Sequence, residues 1–219
     1  MKVYTIEDLK SFDRNDIGFL MCPSGDYTQI KKFDNNCWFG PASKFSDNCI
    51  FGEWCGFFQE CSFGDMCEFS NCCIFDELCD FGKKCSFGDD CSFGDSCRFD
   101  KECDFGKTCR FKKKCEFGES CSFSKECSFS QGCILENNIK FEGIQDNVIR
   151  VLKIDNVGSW EGCHFFKTAS EIYVRCDVLS ECFFGTIAEF EEKVNETCKE
   201  YQQHLKKYIE AIKYAKAVM

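Results

Sequence analysis

Residues 85–99 read CSFGDDCSFGDSCRF, in which a cysteine and a phenylalanine two positions apart recur every six residues. The phenylalanine occupies every sixth position from Phe33 to Phe129 without interruption. A cysteine follows each of them by four residues from Cys37 to Cys133, except where Ser43 takes its place. A fixed period over this length is typical of a repeat architecture, and it outweighs any helix or strand assignment made from a short window.

The period of six indicates short strands joined by short corners. Helices repeat about every 3.6 residues and strands about every 2, so a period of six must combine two kinds of structure. In C-x-F, the cysteine and phenylalanine point to one side of a strand and the residue between them points outward. The other three residues, which often begin with glycine, turn the chain, and glycine is expected there because it adopts unusual backbone angles.

Three strands and three corners close a coil of 18 residues, so that residues 18 apart stack on each other. Phe51, Phe69 and Phe87 are then expected to form one internal column of rings. The in-phase positions from Tyr27 to Phe141 give six to seven coils at three positions per coil. The pattern therefore predicts a mainly β protein built on a parallel β-solenoid.

The unit F-G-x-x-C-x resembles the hexapeptide repeat, whose unit carries an aliphatic residue, then often glycine, and a small residue at the fifth place. The resemblance covers residues 27–141 and implies the fold of that family, a left-handed parallel β-helix. The chain departs from the family pattern by using phenylalanine for the aliphatic residue and cysteine for the small one. A large ring beside a small thiol keeps the summed volume plausible.

The chain divides into three predicted segments. Residues 1–26 are interpreted as an N-terminal cap, residues 27–141 as the β-helix, and residues 142–219 as an α+β segment of β-hairpin strands followed by a long helix or helix pair. Thr5 and Asp8 have capping-box spacing before a short helix. Because the open ends of a solenoid invite aggregation, we expect the flanking segments to cover them.

The C-terminal segment contains the pieces IYVRC, CFFGT and EFEEKV. With these pieces it resembles the tails of Cys/Phe-rich hexapeptide proteins of bacteria and phages whose role is unassigned. That resemblance implies a phage or mobile-element context but no reaction or ligand. Thr186 and Glu189 have capping-box spacing and are expected to start the terminal helical region.

Composition argues against several classes of partner. The chain has 27 basic and 37 acidic residues, a net charge of −10, whereas nucleic-acid and membrane surfaces attract clustered lysine and arginine. No apolar run has the length of a signal peptide or a membrane span. We therefore expect a cytoplasmic protein whose 22 cysteines are reduced.

The positions of the histidines argue against catalysis. Hexapeptide-repeat acyltransferases use a histidine base and related carbonic anhydrases bind zinc through three histidines, but here both His164 and His204 follow the repeat. No loop interrupts the repeat from 45 to 129 to shape an active site. His164 adjoins Cys163, yet neighbouring strand residues point to opposite faces. The expectation is no enzyme activity, no catalytic residue, no bound metal and no cofactor.

The regular cysteines of the repeat admit three interpretations. They are small, reduced core residues, or disulfides between stacked coils, or an array for a soft metal. The reduced core is favoured because stacked side chains point in parallel and phenylalanine rings would surround any ion. Cys72, which is out of phase, is the candidate for an exposed thiol.

Outward positions in the first coils carry large apolar side chains, among them Trp38, Trp54, Phe58 and Ile74. Stacking by 18 aligns Trp38 with Gly56 and Ile74, and places Trp54 and Phe58 on either side of Gly56. Monomeric soluble proteins seldom leave such a patch bare. We expect the C-terminal segment, a second copy of the chain or a protein partner to pack there.

The sequence therefore favours a non-catalytic, cytoplasmic scaffold or protein-binding module with a rigid solenoid. Its partner is expected to be a protein or another copy of the chain, with no role for nucleic acid or membrane. A phage or mobile-element inhibitor of a host system is a specific form of this function. The alternatives are an unusual or degenerate hexapeptide acyltransferase and an acidic protein that mimics DNA.

Overall fold

A computed structural model describes residues 1–130, 132–146, 148–154, 157, 162–178 and 181–219, without the side chains of Asp177, Glu181 and Cys182. The chain separates into two compact units, Met1–Asn137 and Asn138–Met219. The first unit contains the repeat and the second contains an antiparallel sheet with helices.

The first unit is a parallel β-solenoid of about seven coils with 18 residues per coil. It begins with helix α1 (Ile6–Ser11), which Thr5 and Asp8 cap reciprocally, as their spacing predicts. One face holds β1 (Leu20–Cys22), β3 (Cys37–Phe39), β6 (Gly56–Phe57), β9 (Ile74–Phe75), β12 (Ser92–Phe93), β15 (Arg110–Phe111) and β18 (Ser128–Phe129). The second face holds β4 (Lys44–Phe45), β7 (Ser62–Phe63), β10 (Asp80–Phe81), β13 (Arg98–Phe99), β16 (Glu116–Phe117) and β19 (Ile134–Leu135). The third face holds β2 (Lys32–Phe33), β5 (Ile50–Phe51), β8 (Glu68–Phe69), β11 (Ser86–Phe87), β14 (Asp104–Phe105) and β17 (Ser122–Phe123).

The core of the solenoid consists of the predicted columns of phenylalanine rings. The rings of Phe51 and Phe69 are parallel with centroids 4.8 Å apart, and those of Phe69 and Phe87 are 4.9 Å apart. Each ring also meets the next one along the chain edge to face, as Phe87 does Phe93 at 5.0 Å. Stacked and edge-to-face pairs each contribute about 0.5–1.5 kcal/mol beyond area burial. The expected columns, period and parallel pairing are confirmed.

The corners differ from the expectation for glycine. The residue that adopts a left-handed backbone is the one before the cysteine, such as Trp54 at φ 60° and Asp90 at φ 58°. The glycine after phenylalanine does not adopt a left-handed backbone, so the expectation that glycine is needed there for its unusual backbone angles is wrong. At Gly52 a Cβ atom would lie 2.6 Å from the backbone nitrogen of Asn35 in the preceding coil. Glycine is needed there because two backbones approach closely.

Asparagine and aspartate side chains tie successive corners together. Oδ1 of Asn35 accepts a hydrogen bond of 2.9 Å from the N–H of Glu53, and Asn71 accepts one from Asp89 at the same distance. Each acceptor lies 18 residues before its donor, so the bond crosses from one coil to the next. The corners are therefore held by side chains as well as by backbone pairing.

The second unit begins with β20 (Lys140–Phe141) and contains a four-stranded antiparallel sheet in the order β21, β22, β23, β24. These strands span Arg150–Ile154, Cys163–Lys167, Ile172–Val178 and Glu181–Thr186, and helices α2 (Ile187–Thr197) and α3 (Gln202–Val218) follow. Thr186 caps α2 reciprocally with Glu189, as predicted. The expected turn NVGSWEG, residues 156–162, lies mostly outside the described residues.

The core of the second unit contains a disulfide bond between Cys163 and Cys176. This corrects the expectation that all cysteines are reduced. Adjacent antiparallel strands β22 and β23 place the two residues opposite each other, with Cα atoms 4.5 Å apart. The argument from parallel side-chain directions applies to the solenoid and not to this sheet.

No helix in the described ranges is both long enough and apolar enough to cross a membrane.

Candidate functional site

The regular thiols, all buried except that of Cys133, donate hydrogen bonds to backbone oxygens. Sγ of Cys73 lies 3.5 Å from the backbone oxygen of Gly52, and Sγ of Cys85 lies 3.4 Å from that of Gly64. The acceptor is in each case the residue after phenylalanine, 21 positions earlier. These carbonyls accept no backbone N–H in the described coils, so the thiol provides their hydrogen bond.

Burial and stacking hold the thiol of Cys91 in the protonated form. Hydrogen bonds with Cys109 and Cys73, followed by desolvation, raise the pKa of the Cys91 thiol far above its usual value. A thiol that donates to a carbonyl oxygen also needs its proton. Nucleophiles and metal ligands require the thiolate. Among the described residues, no three histidine, cysteine or acidic side chains form a group that could hold a metal ion.

Two of the described free thiols, those of Cys72 and Cys133, are half-buried rather than buried. Desolvation, followed by the nearby charges of Asp90 and Glu53, raises the pKa of Cys72. Cys72 is more accessible to solvent than its neighbour Cys73, which is buried. Because the pKa of Cys72 is raised, its surroundings do not activate the thiol as a nucleophile.

His164 and Cys163 do not form a catalytic pair. Cys163 is bonded to Cys176, and His164 is only 1 % exposed. His204 lies on α3 and is exposed to solvent. The two histidines thus occupy the second unit in different environments, one in the sheet and one on a helix.

The four predicted contact residues lie on the first coils of the solenoid. Trp54 is 52 % exposed, Ile74 is 50 % exposed and Phe58 is 38 % exposed, while Trp38 is half-buried. We call these four residues the tryptophan surface.

The register of the strands brings the tryptophan surface together. Trp38, Gly56 and Ile74 are successive partners on one face of the solenoid. The ring of Trp38 lies so close to Gly56 that a Cβ atom there would be 2.9 Å from it. The rings of Trp38 and Phe58 meet edge to face at 5.9 Å. The indole ring of Trp38 therefore occupies the space that a side chain at position 56 would fill.

Two further residues of this region, Phe19 and Met21, could not be predicted from the six-residue period. Phe19 packs against Trp38 with ring centroids 5.3 Å apart, and Met21, which pairs with Trp38 in the sheet, is 37 % exposed. Both belong to the segment that adds β1 to this face, before the six-residue period begins. Only the approximate spacing of 18 from Trp38 and Phe39 could have indicated their position.

The coils between residues 81 and 130 present a polar exterior, whereas Ile134 in the last coil is 56 % exposed. Outward residues pair between coils, as Lys84 does with Glu102 and Arg98 with Glu116, both at 3.4 Å. Thr108 donates a hydrogen bond of 2.7 Å to Asp90. Between residues 81 and 130, all described, no large hydrophobic side chain is exposed. Large apolar contact area in the solenoid is thus concentrated in its first coils.

Comparison of the chain with protein-family models, with curated proteins and with solved structures gives no match.

Proposed function

We propose that this chain is a non-catalytic protein-binding scaffold of the hexapeptide-repeat type, with a left-handed coil, and that the tryptophan surface contacts its partner. The observation that carries the proposal is the exposure of Trp54 and Ile74 in a solenoid that exposes no large hydrophobic side chain between residues 81 and 130. Exposed apolar patches of this kind mark interaction sites in soluble proteins.

The composition of the tryptophan surface supports a protein partner. Tryptophan is enriched among the residues that dominate the energy of protein interfaces. Trp38 is already held in place by Gly56, Phe19 and Phe58, so it loses little side-chain entropy on binding. The outward columns consist of residues fixed on a hydrogen-bonded sheet, which provides a rigid platform.

The proposal includes a cytoplasmic location. Fifteen of the sixteen regular cysteines are buried free thiols, and a reducing compartment preserves that state. The disulfide between Cys163 and Cys176 is an opposing observation, and it concerns only the second unit. A phage or mobile-element inhibitor of a host protein is the more specific form that we propose. No contact in the described residues favours the acyltransferase or the DNA mimic over this function.

The test replaces Trp54 with Asn and Ile74 with Ser in the full chain. Each new residue already occurs in the same column one coil away, as Asn36 beneath Trp54 and Ser92 beyond Ile74, so the fold is expected to persist. The matched control is Arg110→Ser, further along the column of Ile74.

Native mass spectrometry and affinity capture with the tagged chain provide the readout. We expect the double variant to lose self-association or a captured protein that the wild type and the control both retain. Identical assembly and capture by all three proteins would refute the role of the tryptophan surface.

A further inference from the structure

The N-terminal segment extends two faces of the solenoid but not the third. Strand β1 adds to the face of β3, where Leu20 pairs with Cys37. Bridges from Val3 to Asp26 and from Asp26 to Lys44 extend the face of β4. On the third face, β2 is the terminal strand, and no described strand pairs beyond it.

The free edge of β2 presents two backbone donors. One coil later on this face, the N–H of Ile50 donates to the backbone oxygen of Lys31 at 2.8 Å. By the same geometry, the N–H groups of Lys32 and Asp34 point away from β5, toward the position that a preceding strand would occupy. Within the described residues neither has a backbone acceptor. Such groups are available to a ligand that carries an acceptor.

A cavity of about 520 Å³ lies at this edge. Its apolar lining includes Leu9 and Phe12 from the helical segment, Leu20 from β1, and Phe33 from β2. Small-molecule sites have volumes of about 300–1,000 Å³ and are mostly apolar with a few polar groups. The cavity therefore has the size and lining of a site for a small ligand.

The charges around the cavity favour an anion. Lys10, Arg14 and Lys32 line it, against Asp34 alone among the acids. Lys10 forms an ion pair with Glu7 at 2.8 Å, so Glu7 is counted as well. The cavity then has three positive and two negative side chains around it, a net charge of +1. The whole chain has a net charge of −10. This local excess of positive charge is complementary to one negative group.

We propose that this cavity binds a small amphiphilic carboxylate, an apolar chain that ends in a single carboxylate group. The carboxylate accepts hydrogen bonds from Arg14, Lys32 and the free backbone N–H groups, and the chain packs against Leu9 and Leu20. This site does not include the tryptophan surface, and the inference is independent of the proposed function.

Isothermal titration calorimetry of the full chain with decanoate, kept below its micelle concentration, tests the proposal. Decanol and decylamine have chains of the same length without the negative charge, and hexanoate has the charge with a shorter chain. We expect saturable binding of one decanoate, weaker binding of hexanoate, and no comparable binding of the alcohol or the amine. Equal affinity for decanol, or no saturable binding of decanoate, would overturn the assignment.

Variants locate the binding to this cavity. Lys32→Gln and Arg14→Gln are each expected to weaken decanoate binding by about threefold to tenfold, the range for partly exposed charged hydrogen bonds. The control Lys44→Gln changes an outward lysine of β4 and should leave the affinity unchanged. The Trp54→Asn, Ile74→Ser variant should also bind normally. Circular dichroism verifies that each variant is folded, and unaltered affinity in both cavity variants would disprove the site.

Discussion

Each regular cysteine of the solenoid combines a small apolar volume with a hydrogen-bond donor. Sγ of Cys103 lies 3.4 Å from the oxygen of Gly82, and Sγ of Cys91 lies 3.5 Å from that of Ser70. Alanine would fit the same space but could not donate, so a part-buried carbonyl would lose its partner. Ser43, the one replacement in the series, also donates to a buried corner, since its Oγ lies 2.7 Å from the oxygen of Gly40.

We predict that Cys91→Ala lowers the free energy of unfolding by about 1–3 kcal/mol, because it removes the donor and leaves a small cavity. Cys91→Ser should cost less, since the hydroxyl can still donate. Urea denaturation with circular dichroism measures both, with Cys72→Ala as the control outside the regular series. If Cys91→Ala were as stable as the wild type, the contact between Sγ and the carbonyl would contribute nothing.

The corner is the element that determines the coil. Its last residue takes a left-handed backbone although it is rarely glycine, and its first residue is glycine where the preceding coil approaches most closely. Backbone hydrogen bonds continue through the corners, as from Trp54 N–H to the oxygen of Asn71 at 3.1 Å. This pairing offsets the strain of the left-handed residues.

Gly52→Ala should destabilise the solenoid by about 1–3 kcal/mol, because the new methyl group would overlap the backbone near Asn35. The matched change is Ser70→Ala at the equivalent corner after Phe69, which already carries a Cβ atom and should stay within about 0.5 kcal/mol of the wild type. Thermal and chemical denaturation distinguish the two. Equal stability of both variants would show that the coils can separate locally without cost.

The period alone was sufficient to predict the strands, the ring columns and the position of the tryptophan surface. Trp38, Gly56 and Ile74 align because they differ by 18, and any sequence with this period would align them. The role of glycine could not be read from the period, because close approach between coils depends on backbone geometry. The disulfide of Cys163 and Cys176 could not be predicted either, since the register of two antiparallel strands depends on their turn.

At the scale of the whole molecule, three of the stacked thiols link stability to pH. Hydrogen bonds with neighbouring thiols, together with burial, raise the pKa values of Cys79, Cys91 and Cys103 in the folded state. An unfolded cysteine has a pKa of about 8.5. Below that pH the stabilisation is fully present, and above it the unfolded thiols ionise while the folded ones keep their protons.

The contribution of these three thiols to the free energy of unfolding should therefore be constant near pH 7 and fall as the pH rises above about 8.5. Each such thiol contributes about 1.4 kcal/mol per pH unit in that range. Denaturant midpoints measured with reductant from pH 7 to 9.5 test this, and Cys91→Ser should reduce the slope whereas Ser92→Ala, which removes no ionisable group, should not. A midpoint that stays level up to pH 9.5 would contradict it.

Because three corners return the chain to the same face after 18 residues, one turn of 18 residues is the unit by which the length of the solenoid changes. Neighbouring rings in a column are 4.8 Å apart, so removal of 18 consecutive residues shortens the axis by that step and leaves every outward column intact. Removal of six residues shortens it by a third of a step and rotates all later side chains onto the next face. Insertions and deletions within the coils thus preserve the outward columns only in whole turns, and those of other sizes preserve them only when placed outside the coils.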